Sequence, residues 1–150
     1  MTTHNNDNDL LLAILAMDSY NQGYGKRIDH GKGQIGTATA QGLPEGYDDS
    51  AWDAAGFYAV SYTLTSGETV ISYRGTDGNG DLDDWALGGG NWQVEQAALA
   101  AEFYQAVNGD AITPNSNITL VGYSLGGGLA GFVGAISSND NWLNNSRVAA

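Results

Sequence analysis

Apolar residues in this chain come in blocks separated by polar, glycine-rich stretches, and the period within each block points to an element. The first block, Leu10-Leu-Leu-Ala-Ile-Leu-Ala-Met17, follows a polar start rich in Asn and Asp. It predicts a helix capped by Asp9 and running to about Tyr20, with residues 1–9 frayed. Being apolar on nearly every side, that helix should pack on the body of the domain. Residues 21–50 are glycine-rich, carry Pro44 and predict a long irregular segment with a short strand near Ile35 to Thr39. Phe57 to Leu64 alternates and is rich in aromatic and β-branched residues; a turn at Thr65-Ser-Gly-Glu68 leads into Thr69-Val-Ile-Ser-Tyr73. That pattern is a β-hairpin.

Beyond a second glycine- and aspartate-rich stretch over residues 75–90, a helical period begins near Trp92. It sets Val94, Ala97, Ala98, Ala101 and Tyr104 on one face. Asn108-Gly109 supplies its stop. Ile118-Thr-Leu-Val-Gly-Tyr123 reads as a short apolar strand, and Leu125 to about Ser137 as a helix of small residues. Val148 begins what reads as another strand. A strand, a crossover helix and a second strand predict an α/β fold, with a mostly parallel sheet and helices on both faces.

Composition narrows the function. The 150 residues suit one domain. A formal net charge of −12 argues against a nucleic-acid partner, since cations on phosphates supply most of that affinity. There is no cysteine, which excludes disulfides and thiolate catalysis. The apolar run at 10–17 has eight residues, too short to span a bilayer. No Lys or Arg precedes it, so it makes a poor secretory signal, although export by another route stays open.

The chemistry centres on Gly122-Tyr123-Ser124-Leu125-Gly126, a G-x-S-x-G pattern. In a nucleophile elbow of that form the serine occupies a sharp strand-to-helix turn. The residues two before and two after it come too close for side chains, and the hydroxyl is lifted clear of the sheet. In a glycine-rich chain such a pattern arises by chance roughly 0.2 times, so its context counts. Here it follows an apolar strand and opens a small-residue helix. Ser124 is thus the candidate nucleophile. A second donor for a tetrahedral oxyanion should come from a neighbouring loop. Thr76, where the hairpin's second strand gives way in Ile71-Ser-Tyr-Arg-Gly-Thr76-Asp77, suits that task, with Arg74 as a surface or paired cation.

These two motifs, with Asp84-Trp85 between them and Ile118 to Ala130 around the serine, resemble the class 3 lipase family in sequence, order and a gap of roughly 50 residues. The resemblance covers about residues 10 to 136. It implies a partial α/β-hydrolase fold, the chain being the N-terminal portion of one such domain. It implies a carboxylic ester hydrolase with Ser124 as nucleophile and the backbone N–H groups of Thr76 and Leu125 as oxyanion donors, an ester or lipid substrate, and neither cofactor nor metal. Tyr123 stands where that family usually has histidine. The family's acid and histidine lie downstream of the nucleophile, and the expectation is that they come from sequence after Ala150. Of the residues present, His4 falls in the polar start, His30 in a loop preceding the serine, and Asp140 after the last helix; none matches a family position.

Two other readings compete. The first is a non-catalytic binding module with a hydrolase-like fold. The second is a calcium-stabilised module, since Asp77-Gly-Asn79-Gly-Asp81-Leu-Asp83-Asp84 sets oxygen ligands at alternate positions, although Leu82 and Gly88 occupy places that want glycine and glutamate. Trp52, Trp85 and Trp92 read as core and rim rather than a stack for substrate.

Overall fold

The computed structural model describes residues 4–21, 34–74, 90–138 and 148–149. Helix α1 (His4–Asn21) is followed by strands β1 (Gln34–Ile35) and β2 (Ala38–Ala40), a short helix α2 (Trp52–Ala55), and strands β3 (Tyr58–Leu64) and β4 (Thr69–Arg74). Helix α3 (Gly90–Val107), strand β5 (Ile118–Tyr123), helix α4 (Leu125–Ser138) and strand β6 (Val148–Ala149) complete the described elements. The strands form one sheet in chain order, β1 to β6.

The fold is α/β, but the sheet is not mostly parallel as expected. The pairs β1–β2, β2–β3 and β3–β4 are antiparallel, and only β4–β5 and β5–β6 are parallel. The reason lies in the connections. The parallel pairs have α3 and α4 in the intervening chain, whereas tight turns close the β1–β2 and β3–β4 hairpins. Gly67, at φ +88°, closes the β3–β4 hairpin, where the Leu64 N–H donates to Glu68 O at 2.8 Å. Gly36, at φ +58°, bends the chain between β1 and β2, so the single strand expected over 35–39 is a small hairpin. Helix α2 carries no sequence signal beyond its cap at Gly56, φ +64°. Four residues are too few for a period.

Helices cover both faces. On one, Leu12, Leu15 and Ala16 of α1 pack on Val60, Tyr62, Val70 and Val121. On the other, Phe103 and Tyr104 of α3 and Leu129, Ala130 and Val133 of α4 pack on Ala59, Ile71, Tyr73 and Leu120. Two expectations about the helices need correction. Helix α1 starts at His4, not at an Asp9 cap, and carries Asp7 in its first turn, where the helix dipole favours a negative charge. Only one of its faces is buried, Leu10 remaining 62% exposed. In α3 the buried face carries Gln96, Ala100, Phe103 and Tyr104, while Val94 is 68% exposed. Alanines tolerate either environment, so the two large aromatic side chains set the rotation.

Polar groups buried under α1 are paired. The Tyr62 hydroxyl donates to Asp18 Oδ2 at 2.6 Å, and Ser72 Oγ lies 3.0 Å from Leu15 O and 2.7 Å from Ser19 Oγ. On the other face the Tyr73 hydroxyl donates to Ala100 O at 2.9 Å. Burial raises the pKa of both phenols, and the Asp18 carboxylate raises that of Tyr62 further. An unfolded tyrosine loses its proton near pH 10 while these two keep theirs, so the stability they contribute is complete below pH 10 and falls as pH rises beyond it. Each phenol should cost about 1.4 kcal/mol per pH unit in that range. Urea midpoints measured from pH 8 to pH 12 should be level at first and then drop steeply.

Candidate active site

Ser124 lies at the junction of β5 and α4, at the carboxyl end of a strand with parallel neighbours on both sides. Its backbone is left-handed, φ +55°, a conformation shared among the described non-glycine residues only with Asp110. Residues with a Cβ avoid that region at a cost of about 1–2 kcal/mol. The turn is held by the Gly127 N–H, which donates to Ser124 O at 3.0 Å. The bend forces the end of β5 and the start of α4 together. A Cβ placed on Gly122 would lie 2.1 Å from Gly126 O and 2.6 Å from Gly127 N, inside any van der Waals contact. Both outer glycines of the motif are buried, while Ser124 is exposed.

Leu125 is the first residue of α4, so its N–H is among those that find no partner within the helix. The dipole of a 14-residue helix favours negative charge at that point. Arg74, the last residue of β4, pairs with Tyr123, the last of β5. Strand β4 therefore ends at the same margin of the sheet as the elbow. Thr76 itself lies outside the described residues, as do Asp84, Trp85, His30, Asp140 and the aspartate-rich stretch proposed as a calcium loop. His4 belongs to the first turn of α1. Among the described residues, no group of three or more His, Asp or Glu side chains is placed to hold a metal ion. No described helix is long and apolar enough to cross a membrane.

Tyr123 is 43% exposed beside Ser124. Across the sheet Tyr58, Arg74 and Tyr123 form one row on β3, β4 and β5. The Arg74 guanidinium lies over the Tyr58 ring, 5.2 Å from its centroid, rather than on open surface. Next to this row is a cavity of about 790 Å³. No motif or spacing announces it, because its walls come from α2, β3, β4, α3 and the segment after β2.

The strain at Ser124 has a measurable consequence. Ser124→Gly should relieve the left-handed backbone and raise stability by up to about 1 kcal/mol, against the usual loss from adding a flexible glycine. A thermal melt of this variant against Ser124→Ala, which keeps the Cβ, isolates the backbone contribution. Comparison with protein-family models, curated protein sequences and solved structures returns no significant match for this chain.

Proposed function

We propose that the protein is a serine carboxylic ester hydrolase, lipase- or esterase-like, built on an α/β-hydrolase type of fold similar to that of the class 3 lipases. The observation that carries the reading is the left-handed Ser124 at a strand-to-helix turn whose flanking glycines touch. A serine has no packing reason to occupy that conformation, since glycine would hold the same turn without strain. The strain is accounted for if the hydroxyl is needed there.

In this reading Ser124 Oγ attacks the acyl carbon of an ester. The carbonyl π electrons move to oxygen, and the oxyanion is held by the N–H groups of Leu125 and Thr76. Collapse of that intermediate expels the alcohol and leaves an acyl-enzyme, which water then hydrolyses to the acid. Aimed amides of this kind contribute about 2.7–4 kcal/mol each where they have been removed singly. A serine hydroxyl also needs a base to take its proton. That base is expected from residues downstream of the elbow.

An active-site-directed fluorophosphonate tests the reading on the longest natural form of the protein. The label should attach to Ser124 and vanish in Ser124→Ala, with the circular dichroism spectrum unchanged. A label that persists in Ser124→Ala would overturn the assignment. The competing binding module predicts no labelling of either protein.

A further inference from the structure

The cavity beside Arg74 takes none of its walls from the elbow. Among the described residues Arg74 is the only lysine or arginine. Its Nε is closed off from solvent and meets no hydrogen-bond acceptor. A buried N–H without an acceptor is costly. The rest of the cavity is mixed in character. Trp52, Phe57 and Leu43 give it apolar surface, and Asp49 and Asp53 contribute carboxylates. The aromatic wall is fixed: Trp52 packs edge-on to Phe57 at 5.1 Å and to Phe103 at 5.6 Å between centroids.

We infer that this cavity binds a small monocarboxylate with an apolar or aromatic body, its carboxylate on the Arg74 guanidinium and its body against Trp52 and Phe57. A planar carboxylate matches the fork of guanidinium N–H donors, and an apolar tail gains by covering the aromatic wall. The two aspartates and the net charge of −12 disfavour ligands that carry several negative charges, such as phosphates. The site does not depend on the role proposed for Ser124. Its position one strand from the elbow, Arg74 being paired with Tyr123, would nonetheless put it within reach of the acid that ester hydrolysis releases.

Isothermal titration calorimetry with hexanoate and phenylacetate tests the inference, with hexanamide and inorganic phosphate as the contrasting probes. The carboxylates should bind in the millimolar range or tighter. The amide should bind about tenfold or more weakly, the worth of one charge-assisted hydrogen bond. Arg74→Gln should remove the preference for carboxylate over amide, and Ser124→Ala should keep it. Should Arg74→Gln fail to fold, the comparison of hexanoate with hexanamide on the wild-type protein decides alone. Equal binding of acid and amide, no binding of either carboxylate, tighter binding of phosphate, or an unchanged preference in folded Arg74→Gln would each overturn the inference. Loss of fluorophosphonate labelling with carboxylate binding intact would count against the hydrolase reading only.

Discussion

Replacing Gly122 by alanine should cost more than about 3 kcal/mol, a large share of the stability of a domain this size. The added methyl would stand 2.1 Å from Gly126 O and 2.2 Å from Gly126 C. These are backbone atoms at the start of α4, so no side-chain rotation relieves the clash. Either β5 and α4 separate or the bend at Ser124 opens, and both disturb the sheet, because Gly122 is paired with Tyr73 in its centre. Gly128 is the natural control. It lies in the same helix, exposed, and a Cβ added there would meet nothing within 4 Å. At that position the change to alanine removes only backbone freedom and should stabilise by about 0.5–1 kcal/mol. Urea denaturation of the two variants should thus move in opposite directions. A Gly122→Ala protein as stable as the wild type would mean that the elbow is not bent as described.

Phe103→Ala should destabilise the protein by about 3–5 kcal/mol, the range for removing a buried phenylalanine. Phe103 is 1% exposed and joins α3 to the aromatic group around α2, with Tyr47 at 5.7 Å and Trp52 at 5.6 Å, both edge-on. Its loss leaves a hole between α3 and α2 that the rigid rings cannot close. Near-ultraviolet circular dichroism should lose intensity along with the shift in urea midpoint, since Trp52 sits in that group. Phe103→Leu keeps most of the volume and should cost roughly a third as much. A loss below about 1 kcal/mol in the alanine variant would show that α3 is not anchored through this ring.

The elements most legible in the sequence are those with a strong local pattern. The β3–β4 hairpin, β5 and the start of α4 follow from alternation, an apolar run and the glycines around Ser124. The rotation of α3 departs from the expected one because the periodic alanines carry little preference, whereas Phe103 and Tyr104 do. The sheet direction departs too, because alternation does not show whether a strand's neighbour is parallel; the connection decides that, and β1 and β2 are too short to advertise themselves. The bend at Ser124 is legible because it is a local geometry written in five adjacent residues. The cavity at Arg74 is not, because it gathers residues from 41 to 103 that share no spacing.

The strand order has a consequence for how the protein forms. Among the described strands every neighbour in the sheet is also the neighbour in the chain, so none of them has to be inserted between two already paired. The hairpins can close early, each over a few residues. Joining β5 to β4 is different, because Thr69 must meet Ile118 across the whole of the intervening chain. Among the described pairings it closes the longest loop, and closure entropy grows with loop length, so it is the slowest pairing expected on the way to the native state. The elbow, formed from the last residues of β5, is set against the rest of the sheet only when that pairing is complete.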